Sequence, residues 1–424
     1  MSSNTDSRAG RVAFTHPGFI LFQIARFLIV SAVEMQAVAV GWQVYEITKR
    51  PLDLGFVGLA QFLPGILLFP ISGHMSDRFE RRHVLSACYG GYAVCFALLL
   101  LLSRRAPSIE LIYVVLVLIG IVRSFNSTAS RSILPQLVPP LHFPNAVAWN
   151  ASIFQAATIL GPSFGGIVYA AFHGPEAVYV IAMVTAIGAT IASFRIRPEV
   201  KPRPREPMTF KTVFAGLHYI WNKKLILGAI SLDLFAVLLG GAVALLPVYA
   251  REILHTGPWG LGLLRTAPGA GAAVMAVLLA HWPLRGKSGR TLLWAVAGFG
   301  IFTIIFGLSR SLTISLIALF LLGASDMISV IIRATLTQLA TPDEMRGRVT
   351  AVDMIFIGTS NEFGQFESGV TAQWFGTVPA VVLGGVGTLV VIALWAWWFP
   401  ELRNAGELHK ITSEVETATT ADPA

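Results

Sequence analysis

Gly73-His74-Met75-Ser76-Asp77-Arg78-Phe79-Glu80-Arg81-Arg82 joins two apolar runs, Leu54–Ile71 and Val84–Leu102. Each run is long enough to cross a bilayer as a helix, which takes about 20 apolar residues. Five charges are packed between them, in a turn too short to be a domain. The segment therefore belongs at a membrane surface, and its three arginines place that surface in the cytoplasm. Gly73 lets the end of one helix approach another backbone closely. Asp77 suits the positive end of a neighbouring helix, and Arg81 and Arg82 are placed to pair with acids or lipid phosphates. A plain basic loop between two spans is the simpler reading; the residue types and their spacing are more particular than that.

The rest of the chain agrees with a membrane setting. Of its 424 residues 54% are hydrophobic and 13% charged, against about 25% charged in a soluble domain. The net charge of +8 is not a nucleic-acid signal, because the basic residues fall in short loops between apolar runs. Met1–Pro17 is polar and the run after it is long, with no cleavage site, which predicts no cleaved signal peptide. Cys88 and Cys95 share one run, seven residues apart; one helix cannot bring that spacing within disulfide range, so packing is their expected role.

Twelve apolar runs can be counted: Phe19–Val44, Leu54–Ile71, Val84–Leu102, Leu111–Asn126, Ala146–Phe172, Ala177–Phe194, Leu225–Leu246, Leu261–Trp282, Leu292–Leu308, Leu312–Ile332, Val349–Ala372 and Val378–Phe399. With the N-terminus inside, 21 of the 31 Lys and Arg residues fall on the cytoplasmic side and six on the outer side, while Arg26, Arg123 and Arg265 lie within runs and Arg333 at the end of one. Both termini are therefore expected in the cytoplasm. The sequence divides into a tail (1–17), six helices (18–194), a basic proline-containing linker (195–224), six more helices (225–399) and a polar tail expected to be disordered (400–424). Within the linker, Phe210, Val213, Phe214, Leu217, Ile220 and Trp221 recur at helical spacing with basic flanks. That pattern predicts a helix lying on the inner membrane surface, with a plain linker as the other reading.

The two sets of six are related. Leu59-x4-Pro64-Gly65 corresponds to Leu263-x4-Pro268-Gly269, and Tyr45 to Tyr249, at an offset of 204. Gln136-Leu137 matches Gln338-Leu339 at 202, and Gly161–Gly166 parallels Gly364–Gly369 at 203. A near-constant offset predicts a duplicated six-helix unit, an architecture of transporters that bind substrate between the halves. The fold class expected is an all-α membrane protein of twelve transmembrane helices in two pseudo-repeated six-helix bundles.

A charge in hydrocarbon costs at least ~2.5–3.5 kcal/mol, so ionisable residues inside runs are functional candidates. Glu34, Arg123, Asp233, Asp326, Arg265, Arg333 and Glu362 are such residues, and Asp353 lies near the cytoplasmic end of its run. Glu34 is the first candidate for proton coupling. It is central in its run, and Gln23, eleven residues earlier, lies on almost the same face. Burial and a nearby arginine act in opposite directions on such a carboxyl; a static ion pair is the competing reading. Asp326 and Arg333 are seven apart on one face, too far to bond each other, so each is expected to face other helices. Gln36, Gln43, Gln61, Asn126, Asn150 and Asn361 are amides at membrane depth that, with Arg265 and Glu362, are candidates for a substrate cavity. No metal-ligand set, phosphate-binding glycine loop or Ser/His/Asp arrangement is evident, and the nine histidines are scattered. No cofactor, metal, nucleic acid or enzyme activity is therefore expected.

The opening stretch resembles the helix 2–3 signature of the major facilitator superfamily, G-x-x-x-D-R-x-G-R-R, with Glu80 where the superfamily has Gly. The resemblance implies a loop that latches the two halves on the cytoplasmic side, a role for Gly73, Asp77, Arg78, Arg81 and Arg82; Asp353, near the cytoplasmic end of its run, is a further candidate for the gate. It also implies that helices 1, 4, 7 and 10 line the cavity, which places Glu34, Arg123, Asp233 and Asp326 one on each. Gly161-Pro162-x2-Gly165-Gly166, after Ala148 and Ala157, resembles the helix 5 antiporter signature with alanine at the first two glycine positions. Val38–Tyr45, Gln61–Pro64, Asn145–Val147 and Leu246–Ala250 are similar to the efflux branch that contains enterobactin exporters. The implied function is a monomeric, proton-driven exporter of an amphipathic small molecule, siderophore or drug-like, in the bacterial inner membrane. An uptake permease or lipid flippase on the same fold, and a membrane sensor that transports nothing, are the alternatives.

Overall fold

Backbone groups in lipid have no water to bond, so each apolar run closes its hydrogen bonds within itself as a helix. The computed structural model describes residues 11–105, 108–198, 210–282 and 287–406, and not the side chains of 69–70, 72–74, 76–78, 210–213 and 343. The first bundle comprises α1 (Pro17–Thr48), α2 (Pro51–Arg78), α3 (Arg81–Arg104), α4 (Ile109–Leu137), α5 (Phe143–Phe172) and α6 (Glu176–Phe194). A linker helix, α7 (Phe210–Asn222), precedes α8 (Lys224–Gly240), α9 (Gly257–His281), α10 (Ser288–Leu308), α11 (Leu312–Leu339), α12 (Asp343–Phe375) and α13 (Thr377–Trp398). Eleven described helices are long and apolar enough to cross a membrane. The twelfth run is filled by α12, 33 residues long, whose Arg346, Arg348, Asp353, Glu362 and Glu367 make it the least apolar of the set.

The chain forms two compact units: Met1–Lys49, Ala60–Met208 and Gly257–Thr266 in one, and Arg50–Leu59, Thr209–Thr256 and Ala267–Ala424 in the other. In the first unit α1 packs on α5 and α6, and α3 on α4 and α6. In the second, α8 packs on α12 and α13, and α10 on α11 and α13. The helix-for-helix repetition of this scheme is the duplication expected from the offsets.

Small residues set the closest contacts. A Cβ at Gly165 would lie 2.8 Å from the Met35 Cα, and one at Gly166 would lie 2.5 Å from the Pro258 carbonyl oxygen. In the second unit Gly369 approaches the Pro51 carbonyl oxygen and the Gly55 Cα, both at 3.1 Å from its ideal Cβ. The same kind of pairing thus recurs, looser in the second unit.

The halves differ at one helix. α1 runs unbroken, whereas its counterpart α8 stops at Gly240 and resumes as a 3-10 turn (Ala242–Leu245), a short α turn with Pro247, and a π turn (Tyr249–Ile253). Gly240-Gly241 stand where the first half has Gln36-Ala37, and glycine pairs weaken a helix. The freed Gly241 carbonyl accepts from Ser368 Oγ of α12 at 3.0 Å. The run Leu225–Leu246, read as one helix, is corrected accordingly.

The tail expected to be unstructured from residue 400 does not begin there. Pro400–Arg403 forms a short helix with Leu402 buried, and the Gly406 carbonyl accepts from Ser288 N at 3.1 Å and from Ser288 Oγ at 2.7 Å. Residues 407–424 lie outside the described set.

Candidate functional site

Arg333 of α11 is the hub of the second unit. The last third of α11 turns it toward α8 and α12, and the side chain is 4% exposed. Its Nη2 lies 3.2 Å from Asp233 Oδ2, and its Nη1 donates to Asp353 Oδ1 at 2.6 Å. Those two carboxylates are 9% and 15% exposed. Asp326, two turns earlier on α11, sits within the fields of both Asp233 and Arg333. Two acids from two helices therefore share one guanidinium, with Asp326 of α11 in the same field. A bidentate fork is the geometry in which arginine serves two carboxylates at once. The expectation that Asp326 and Arg333 face other helices is realised at Arg333.

In the first unit the corresponding element is Glu34, midway along α1 and partly buried. The charges of Arg265 and Arg123 act on its carboxylate. Arg265 Nη1 also donates to the Ala37 carbonyl oxygen at 3.3 Å, on the turn of α1 after Glu34. Gly161 of α5 makes room for this arrangement: a Cβ there would meet the Glu34 Cβ at 2.6 Å. Pro162 lies inside α5 just beyond, and Ser163 and Thr266 hydroxyls meet at 2.7 Å, Thr266 donating in turn to the Ile159 carbonyl oxygen at 2.9 Å. The stretch Gly161–Gly166 is thus a packing surface on which α1 and the first turns of α9 both rest.

The amides expected to meet substrate divide into two sorts. Gln43 is buried and donates to Ser103 Oγ at 2.9 Å while accepting from Tyr179 Oη at 2.7 Å, which ties α1 to α3 and α6. Gln36 is fully buried, and neither amide atom has a partner among the described residues. Asn150 accepts from Gln23 Nε2 at 3.4 Å, and Asn126 from Ser130 Oγ at 3.2 Å. Gly120 of α4 lies against the Gln61 carbonyl too closely for a Cβ. Asn361 is exposed and donates to the Ile357 carbonyl of its own helix at 2.8 Å. Glu362 is buried and accepts from Gln365 Nε2 at 3.2 Å, with Gly58 of α2 beside it.

The side chains of the gate residues Asp77 and Arg78, together with Gly73, lie outside the described set. Arg81 Nη1 donates to the Ser132 carbonyl oxygen of α4 at 2.8 Å. Arg82 Nε pairs with Glu80 Oε2 at 2.9 Å, so the residue that departs from the signature engages one of its arginines. Asp353, expected at the gate, is bonded to Arg333 within its own unit. Sequence reasoning noted Arg333 but gave it no role. The available signal was an acid, Asp326, two turns earlier on the same helix face.

Buried charges within a chain of spanning helices fit a membrane transporter, and the family follows from similarity to known proteins. The model of the Major Facilitator Superfamily matches residues 18–365, and the chain belongs to that family. It is 26% identical over 396 residues to the enterobactin exporter EntS of Citrobacter koseri, covering 92% of this chain and 94% of the relative. It is 25% identical over 362 residues to the uncharacterized transporter YfiS of Bacillus subtilis, covering 82% and 85%. Among solved structures, a bacterial homolog of the human lysosomal transporter Spinster superposes with TM-score 0.69 at 14% identity, over 92% of this chain and 98% of that one. A D-xylose–proton symporter does so with TM-score 0.70 at 14% identity, over 91% and 98%.

Proposed function

We propose that this transporter exports an amphipathic small molecule, siderophore-like or drug-like, across the bacterial inner membrane in exchange for protons, with both termini in the cytoplasm. The observation that carries the proton coupling is the sharing of Arg333 by Asp233 and Asp353, with Asp326 in the same field. One guanidinium balances one carboxylate. Each further unbalanced charge at lipid depth costs at least ~2.5–3.5 kcal/mol, and a bound proton removes that cost. A proton taken up from one side and released to the other as the halves alternate is the coupling. Glu34, within the fields of Arg265 and Arg123, is the acid of the first half. The export direction and the substrate class rest on the similarity to enterobactin exporters along nearly the whole chain.

The test is transport by the full-length protein in everted membrane vesicles energised to be acidic inside, with ethidium and a tris-catecholate siderophore as probes. Accumulation of either probe in the lumen, abolished by a protonophore, is expected. Accumulation indifferent to the protonophore, or none with either probe, overturns the reading. Flux of probe out of preloaded vesicles with the proton gradient would favour uptake on the same fold.

A further inference from the structure

The linker helix α7 carries two large aromatic side chains that contribute little to packing. Phe214 is 66% exposed and Trp221 69% exposed. They are seven residues apart, about two helical turns, so they project from one face. The docking face is a different one. Gly216 lies so close to α12 that a Cβ there would meet the Arg348 carbonyl oxygen at 2.6 Å and Val352 Cγ2 at 3.1 Å. Ile220 is fully buried with Ile226, Ile230, Val349 and Val352, and Tyr219 Oη donates to the Ala340 carbonyl oxygen at 3.2 Å.

The surroundings say what covers the aromatic face. α7 ends at Asn222, and the spanning helix α8 begins at Lys224. A helix held that close to the start of a span is held at headgroup level, where tryptophan rings are favoured. Lys223 and Lys224 stand exposed at the junction. α7 itself contains no acid, and the linker 195–224 carries eight basic residues against Glu199 and Glu206. An aromatic face beside exposed lysines matches a layer of anionic headgroups in charge and in polarity.

We infer that α7 is a docking surface for anionic phospholipid in the adjoining leaflet: Phe214 and Trp221 enter the interfacial layer, and Lys223 and Lys224 take the phosphates. The surface has a route to the buried charges. α7 rests on Val352, the neighbour of Asp353, and on Ile230, one turn before Asp233. Lipid held by α7 therefore steadies both helices that grip Arg333. That consequence depends on the function proposed for the cluster; the docking itself does not.

The experiment uses the full chain, labelled with a fluorophore at Phe214→Cys, in liposomes of phosphatidylcholine containing phosphatidylglycerol. Cys88 and Cys95 are buried and compete poorly for the label. Quenching by headgroup-proximal spin-labelled phosphatidylglycerol is expected to exceed that by spin-labelled phosphatidylcholine. The preference should fall about fivefold for each of Lys223→Gln and Lys224→Gln, and should weaken with salt. Equal quenching by the two lipids overturns headgroup recognition. No quenching by either overturns the docking altogether and points to water or a protein partner on that face. A label at Trp221→Cys repeats the measurement should the first position perturb the protein.

Discussion

Arg333→Met removes the shared cation while keeping most of the side chain's length. In the native cluster Arg333 reaches Asp353 at 2.6 Å and Asp233 at 3.2 Å, with the three side chains 4%, 15% and 9% exposed. Taking one partner from a buried ion pair leaves uncompensated charge and costs about 3–5 kcal/mol. Asp353→Asn is milder. The amide oxygen still accepts from Nη1 and Asp233 still balances the guanidinium, so the loss is the charge-assisted share of one hydrogen bond, about 1 kcal/mol. For a unit of this size about 1 kcal/mol moves the melting temperature by roughly 2–4 °C. Asp353→Asn should therefore melt about 2–4 °C lower and Arg333→Met about 6–20 °C lower. Intrinsic tryptophan fluorescence during heating in detergent is a suitable readout. Trp395 is buried and donates to Ser231 Oγ at 3.0 Å, two residues from Asp233, so it reports on this bundle. Neutralising Asp233 and Asp353 to Asn in the Arg333→Met background should recover most of the loss. If Arg333→Met melts beside Asp353→Asn, or the triple variant is no better than Arg333→Met, the guanidinium is not the hub.

The two halves should respond unequally at their small-residue contacts. Gly166→Ala forces a Cβ against backbone at 2.5 Å and should cost about 1–3 kcal/mol, whereas Gly369→Ala, whose Cβ would meet its nearest atoms at 3.1 Å, should cost less; equal melting shifts would contradict the looser second contact. Gln36→Leu replaces a buried amide whose atoms have no partner, and should raise the melting temperature, because an unpaired buried polar group costs about 1–3 kcal/mol. A lowered midpoint together with lost transport would instead make Gln36 a substrate contact. Glu34→Gln cannot carry a proton and should abolish proton-driven export at unchanged membrane abundance; normal export across the same gradient would remove Glu34 from the mechanism.

The spans were legible because hydrocarbon permits only apolar helices, and the duplication because the signature pairs keep their offset. Neighbour choice was less legible. Helical spacing says which face of α11 carries Arg333, but not that α8 and α12 supply its acids. Asp353 reads as a gate residue from its place near the end of a run, and only packing puts it on Arg333. The glycines Gly166 and Gly369 match in sequence at 203, whereas the Pro258–Gly262 and Pro51–Gly55 turns they press upon are offset by 207, about one helical turn from the 204 of the neighbouring prolines. The break of α8 was hidden because Gly240-Gly241 sit inside a continuous apolar run. Apolarity alone therefore gives the span and conceals the interruption.

The central claim is that protons reside on the acids around Arg333, and the protonated-carboxyl stretch in the infrared spectrum measures this directly. The purified protein at neutral pH should show that band, and it should shrink in Asp326→Asn and Asp233→Asn and shift when a transported probe is added. A wild-type spectrum with no protonated carboxyl, or a band that those substitutions leave untouched, would contradict the account.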